Sequence, residues 1–235
     1  MTAPQPPHQT HWTVVLAAAD GDPTAREAFA ARYLPVARAY LGARWRGRPQ
    51  MAALEDAVQE ILTERLRDDG GVAALDRETK GSFRTFLADV VRGVAERTEA
   101  KEMAAKIDDA ATAMVEATVA PSTAARLADE AQLRTVFDQA WARSIMQETA
   151  DRLAAAAQAA GGAPARRSQL LHLHYHERQP LEQAAEGCGI AGDAAEREMA
   201  LARAEFATIL RRVVAERESC NEGELDRWCA ELLVV

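Results

Sequence analysis

Aromatic residues and runs of β-branched residues are scarce in this sequence. Phenylalanine, tryptophan and tyrosine together make up 5% of its 235 residues, whereas alanine, leucine, arginine and glutamate are abundant. This composition favours helices and disfavours β-sheets. We therefore expect an all-α protein whose chain is long enough for one large domain or two small ones.

Cysteines and long apolar segments are also few. The three cysteines, Cys188, Cys220 and Cys229, have no Cys-x-x-Cys spacing, so a disulfide framework and a zinc site both fit poorly. No apolar stretch approaches the roughly 18 residues of a membrane-spanning helix. Residues 1–9 contain three prolines and predict a disordered tail rather than a signal peptide. We expect a cytoplasmic protein that does not bind membranes.

The formal charge of −8, from 28 basic and 36 acidic residues, has the wrong sign for a protein that coats nucleic acid. Any contact with DNA must therefore come from local basic patches or depend on a positively charged partner. No glycine-rich phosphate loop, nucleophile elbow or pair of spaced carboxylates is present, so we expect neither an enzyme nor a cofactor. His172, His174 and His176 lack a residue that completes a familiar ligand set, and we expect no metal site.

The clearest helical pattern lies at residues 54–66. One face carries the apolar residues Leu54, Val58, Ile61, Leu62 and Leu66, and the other faces carry Glu55, Asp56, Gln59, Glu60 and Glu64. These spacings predict an amphipathic α-helix with an acidic outer surface. Such a surface is either simply solvated or a docking site for a partner.

A second helix follows, with Phe83, Phe86 and Leu87 at its start. The pair of helices resembles the core-binding and promoter-melting region of bacterial RNA polymerase sigma factors of the extracytoplasmic-function group. Their Asp-Ala-x-Gln-Glu motif is matched by Asp56, Ala57, Gln59 and Glu60, and their Phe-x-x-Trp-Leu motif by Phe83, Phe86 and Leu87. The resemblance implies that Asp56, Gln59, Glu60 and Leu62 bind the clamp helices of the largest subunit of core RNA polymerase.

The resemblance also implies contacts with the −10 element of promoter DNA. Such contacts include capture of a flipped base by the loop between the two helices, and flipping costs a few kcal/mol. The expected −10 residues are Arg77, Lys80, Arg84, Arg92, Arg97 and Lys101. The second helix departs from the family pattern, because Gly93 replaces the usual asparagine and residues 92–106 have a net charge of only +1, from four bases and three acids.

Two further segments resemble one subgroup of these sigma factors. Residues 10–16 contain Trp12 at the place where that subgroup has tryptophan, and residues 137–142 contain Phe137 and Trp141. Between Trp12 and the docking helix, Asp22 followed by Pro23 predicts the N-terminus of a helix.

A basic loop, Arg44-Trp45-Arg46-Gly47-Arg48-Pro49, follows that helix. It is either a contact with phosphate or polymerase, or a solvated loop whose tryptophan packs on the core. The sequence leaves both interpretations open.

Residues 168–214 predict a helix-turn-helix motif, with a short helix at 181–186, a glycine turn at 187–189 and a third helix capped by Asp193. This motif resembles the −35-binding region of sigma factors and implies −35 contacts from Arg197 and Arg203. In place of the family's basic start, the third helix has Glu196 and Glu198. Residues 193–212 contain four acids and four bases.

The predicted organisation is therefore a tail at 1–9, a four-helix region 2-like domain at 10–106, a linker at 107–132, a region 4-like helix-turn-helix domain at 133–216 and a helical extension at 217–235. The apolar stripe of that extension either packs on the second domain or forms a regulatory flap. We expect a sigma factor that binds core RNA polymerase, directs promoter recognition and transcription initiation, and has an anti-sigma factor as a further partner. The alternative is a sigma-like adaptor or antagonist that binds polymerase or another protein but has lost −35 DNA recognition. A stand-alone repressor would explain neither the docking helix nor the acidic charge.

Overall fold

The computed structural model describes residues 14–15, 17–18, 20–65, 83–110, 123–218 and 221–234. Within this part of the chain every regular element is helical, which confirms the all-α prediction. We number the helices whose bounds are described from α1 to α8: α1 Pro23–Arg44, α2 Leu54–Arg65, α3 Phe83–Ala110, α4 Thr123–Ala160, α5 Gly162–Leu171, α6 Leu181–Gly187, α7 Ala195–Arg217 and α8 Glu222–Val234. None of these helices has the length and apolarity needed to cross a membrane.

The chain divides into two compact units, Met1–Ser144 and Ile145–Val235. Helices α1 to α3 belong to the first unit and α5 to α8 to the second, with the division inside α4. Residues 133–144, which the sequence grouped with the helix-turn-helix, are thus grouped with the N-terminal helices. Of the predicted linker, the first residues end α3 and the last ten begin α4, while 111–122 lie outside the described residues, as do the predicted tail and Trp12.

The core of the first unit is built around Trp141, which is fully buried in α4. Its ring stacks on Tyr33 of α1, with centroids 5.7 Å apart, and on Phe137, 6.3 Å away. Phe83, the first residue of α3, lies 5.1 Å from Tyr33 and 6.4 Å from Trp141. Three helices that are distant in sequence therefore share one aromatic cluster.

Helix α2 packs against both α1 and α3. Ala57, Val58 and Ile61 are buried in that contact, whereas Leu62 is half-buried. Helix α1 begins as predicted, since the Asp22 side chain accepts hydrogen bonds from the backbone N–H groups of Thr24 and Ala25 at 2.8 and 3.1 Å. The buried side of α2 is therefore the apolar side that the amphipathic pattern predicted.

The second unit contains the predicted short helix, turn and longer helix. Its core is formed by Leu170, Ala184, Ala185, Cys188, Ala195 and Met199. Gly189 adopts a φ of 65° in the turn, a conformation that favours glycine. Asp193 is not the cap of α7, because a short 3-10 turn, Gly192–Ala194, contains it and α7 begins only at Ala195.

A buried ion pair joins α7 to the second part of α4. The Arg217 side chain is 3% exposed, and its Nε donates to Glu148 Oε2 at 2.9 Å. Arg152 binds both Glu148 and Glu216, at 2.6 and 2.7 Å. Pairing stabilises charges that would be very unfavourable if they were buried singly.

Helix α8 packs on α7 and buries Cys229 and Leu232, with an ion pair between Arg211 and Asp226. The apolar stripe of the C-terminal extension therefore forms a helix that packs within the second unit. This is the first of the two alternatives that the sequence left open.

Replacing Trp141 with alanine should remove the centre of the aromatic cluster. We expect Trp141→Ala to lower the free energy of unfolding of the first unit by about 3–5 kcal/mol, because a large buried side chain is lost and a cavity remains. Urea unfolding followed by circular dichroism measures the change. Arg143→Ala, at an exposed position two residues away, is the control and should change stability by less than about 0.5 kcal/mol; equal stability of the two variants would contradict this account of the core.

Candidate functional site

The outer face of α2 carries the residues expected to dock on a partner. Glu55, Asp56 and Gln59 are exposed, opposite the buried face. The Glu55 carboxylate accepts two hydrogen bonds from Arg38 of α1, at 2.9 and 2.6 Å. These bonds lower the pKa of Glu55. Because both side chains are largely exposed, this pair adds little stability. Asp56 and Gln59 are exposed one turn apart on the same face.

Glu60 lies at the border of that face. Its carboxylate accepts hydrogen bonds from Arg97 of α3, at 2.8 Å from Nη2 and 3.3 Å from Nε. Glu60 therefore holds α2 to α3 as well as flanking the exposed face. Its partner Arg97 is one of the arginines that the sequence analysis predicted to contact promoter DNA.

Several of the basic residues expected to contact the −10 element form ion pairs with carboxylates of the first unit. Arg77 and Lys80 lie outside the described residues. Arg84 binds Asp138 at 2.6 Å, and Arg92 binds Glu130 at 3.1 Å. With Arg97 bound to Glu60, three of the predicted basic residues have carboxylate partners within the first unit, and Lys101 is exposed on α3.

In the second unit, some of the acidic residues at 193–212 are paired with an arginine, which offsets part of their negative charge at the surface. Arg167 of α5 donates to Glu205 at 2.9 Å and lies 3.4 Å from Glu198. Two of the four acids at 193–212 are thus paired with another helix. The remaining two, Asp193 and Glu196, are exposed.

The two arginines predicted for −35 contacts are both exposed. The Arg197 side chain is 74% exposed. Arg203 is also exposed, and its Nε donates to the Tyr175 hydroxyl at 2.9 Å. Arg197 also forms an ion pair with Glu198 at 3.5 Å. Residues 193–203 therefore expose these two arginines beside the acids Asp193 and Glu196.

The basic loop after α1 is anchored by Glu99 of α3. Trp45 is fully buried, and its Nε1 donates to Glu99 at 2.9 Å. Arg44 donates twice to the same carboxylate, at 2.7 and 3.0 Å. Burial alone raises the pKa of Glu99, but the hydrogen bonds from Arg44 and Trp45 and the charges of Arg44 and Arg48 outweigh it and lower the pKa.

His172, His174 and His176 lie in a short π-helical segment, His172–His176, that follows α5. The rings of His172 and His176 stack at 4.8 Å, and His174 Nδ1 lies 2.8 Å from the Gln179 carbonyl oxygen. Within the described parts of both units, no three histidine, cysteine, aspartate or glutamate side chains are grouped so that they could hold a metal ion.

Comparison of the chain with protein-family models, with curated proteins and with solved structures found no match to it.

Sequence reasoning missed Glu99 and Arg167 as organising residues. Glu99 was counted only among the acids that offset the charge of its helix, and Arg167 was not singled out. Their partners lie 54 or more residues away for Glu99 and 31 or more for Arg167. The one local signal was Trp45, since a buried indole N–H usually finds an acceptor.

The anchor of the basic loop should make the stability of the first unit depend on pH. Because the pKa of Glu99 is lower in the folded state than its ordinary value of 4.5, the unfolded chain binds more protons there. The stabilisation is therefore fully present above pH 4.5 and is lost as the pH falls through the folded-state pKa. We expect Glu99→Gln to lower the melting temperature at neutral pH and to differ less from the unmodified protein below pH 4.5.

Thermal unfolding at a series of pH values measures this effect. Glu96→Gln, at an exposed position of the same helix, is the matched control and should leave the melting temperature unchanged. A difference between Glu99→Gln and the unmodified protein that grows towards acid pH would contradict the assignment.

Proposed function

We propose that the protein is a sigma factor that binds core RNA polymerase through the outer face of α2 and directs promoter recognition and transcription initiation. The observation that carries the proposal is the exposure of Asp56 and Gln59 on a helix whose other side is fixed against α1 and α3. These two residues belong to the Asp-Ala-x-Gln-Glu motif. A rigid helix that presents a carboxylate and an amide one turn apart suits hydrogen bonding and ion pairing to a basic helical partner.

Support for a DNA-binding role comes from the second unit. The short helix α6, the turn and α7 follow the order of a helix-turn-helix motif, in which the second helix enters the major groove. Arg197 and Arg203 are exposed on α7. Arg167 pairs with both Glu198 and Glu205, and its single positive charge offsets one of their two negative charges at the surface that phosphates would approach.

A second candidate function is a sigma-like adaptor or antagonist that binds polymerase but does not read the promoter. The pairing of Arg84, Arg92 and Arg97 with carboxylates of the same unit favours it. Each of these pairs would have to open before its arginine could bind a phosphate. A protein of this kind would keep the α2 interface and compete with other sigma factors for core polymerase.

Removing the two exposed motif residues should weaken polymerase binding. We expect the double variant Asp56→Ala, Gln59→Ala to bind purified core RNA polymerase at least roughly tenfold more weakly, since loss of interface residues that carry binding energy costs about 2 kcal/mol or more. Titration of the fluorescently labelled full chain with core polymerase gives the dissociation constant.

The second unit offers a matched control for that titration. Gln147 and Asp151 are exposed on α4 and hydrogen bond to each other at 2.9 Å, so Gln147→Ala with Asp151→Ala deletes the same two residue types elsewhere. This variant should retain its affinity. An unchanged affinity of the Asp56, Gln59 variant, or no binding by the unmodified chain, would refute both candidate functions.

Run-off transcription separates the two candidates. A sigma factor reconstituted with core polymerase should produce discrete transcripts from fragments of its own genome, and Arg197→Ala with Arg203→Ala should reduce them and any −35 footprint. An adaptor or antagonist would bind polymerase and yield no specific transcript.

A further inference from the structure

Two exposed arginines follow α1 in a tight turn that the proposed function does not use. Arg46, Gly47 and Arg48 are exposed, directly after the buried Trp45. Neither arginine forms an ion pair with a carboxylate among the described residues. They differ in this respect from Arg44, their neighbour, which is bound to Glu99. We call residues 46–48 the arginine turn.

The arginine turn is held in place at both ends. Before it, Arg44 and Trp45 are fixed to Glu99 on α3. The Arg48 N–H donates to the Trp45 carbonyl oxygen at 2.9 Å, and the Met51 N–H donates to the Arg48 carbonyl oxygen at 3.2 Å. A backbone fixed in this way presents two guanidinium groups without the entropy cost of ordering a flexible loop on binding.

Gly47 makes the turn possible. Its φ is 72°, in the left-handed region where residues with a Cβ are strained. A Cβ at this position would meet no atom within 4 Å, so space is not what requires glycine there. Glycine is required there because of the backbone conformation. Arg46 and Arg48 are thus separated by a residue without a side chain.

The chemistry of the turn fits a phosphate backbone better than a protein surface. Protein interfaces usually have a core of apolar and aromatic side chains, but the aromatic residue of this loop, Trp45, is fully buried. Of the loop residues 44–49, Arg46, Gly47, Arg48 and Pro49 are exposed, and Met51, which is 37% exposed, follows them. Arginine binds phosphate oxygens through paired N–H groups.

We propose that Arg46 and Arg48 bind the phosphate backbone of duplex DNA and act as a sequence-independent contact of the first unit. The inference rests on the proposed function in one respect: if the protein is a sigma factor, the DNA that the turn contacts is promoter DNA. It provides the first unit with a cationic contact that does not require Arg84, Arg92 or Arg97 to leave their carboxylate partners. Contacts of this kind fix the position of a protein on DNA without reading bases.

The test compares the unmodified chain with the double variant Arg46→Gln, Arg48→Gln in binding to a fluorescein-labelled DNA duplex of mixed sequence over a range of salt concentrations. Each phosphate contact contributes about 0.9 to the slope of log affinity against log salt concentration. We therefore expect the magnitude of the slope to fall by about 1.8 for two contacts. Affinity for core RNA polymerase is measured on the same samples and should not change.

Two further variants make the result specific. Arg46→Lys with Arg48→Lys keeps both charges and should retain most of the salt dependence. Arg143→Gln with Arg227→Gln removes two charges at other exposed positions and should leave the slope unchanged. Because all these side chains are exposed, the melting temperatures of the variants should agree with that of the unmodified protein.

Several outcomes would overturn the proposal. The first two are an unchanged salt-dependence slope in the Arg46→Gln, Arg48→Gln variant and an equal fall of the slope in the Arg143→Gln, Arg227→Gln variant. The third is no DNA binding by the unmodified chain at low salt. The fourth is a loss of affinity for core polymerase in the Arg46→Gln, Arg48→Gln variant with DNA binding intact, which would make the turn a protein contact. A fall in slope as expected, in a chain that does not bind core polymerase, would refute the proposed function and leave the phosphate contact standing.

Discussion

The stacking of Trp141 on Tyr33 and Phe137 is the interaction on which the first unit depends. With Phe83 it joins α1, α3 and the first part of α4 in one buried cluster. Helix α2 packs on α1 and α3, so its position follows from theirs. The apolar residues of α2 are then buried, and Asp56 and Gln59 are left exposed. The candidate docking face is thus a consequence of core packing elsewhere.

The charges that the surface presents differ from the charges that the sequence contains. Glu60, Glu99 and Glu198 each bind an arginine of another helix, so the two charges of each pair partly offset each other. In the first unit this pairing reduces the basic surface available to DNA. In the second unit it reduces the acidic surface of α7. In the arginine turn Arg46 and Arg48 remain exposed, whereas Arg44 donates the hydrogen bonds to Glu99 and Arg48 acts on that carboxylate only through its charge.

Local patterns in the sequence predicted the local features well. The Asp22-Pro23 signal predicted the start of α1 and the apolar spacing of α2 predicted its buried face, whereas the cap predicted at Asp193 was wrong. Pairings between distant residues could not be predicted, because nothing in a single sequence states which carboxylate meets which arginine. The grouping of Phe137 and Trp141 with the N-terminal helices could not be predicted for the same reason. It depends on aromatic contacts with residues about a hundred positions earlier in the chain.

The central claim is that the outer face of α2 meets core RNA polymerase, and site-specific photo-crosslinking tests it most directly. A photoreactive amino acid placed at Gln59 of the full chain is irradiated in the presence of core polymerase, with the same amino acid at Gln147 as the control. The account predicts a crosslink from position 59 to the largest polymerase subunit and none from position 147. A crosslink from position 147 alone, or none from either position in a complex that still forms, would contradict it.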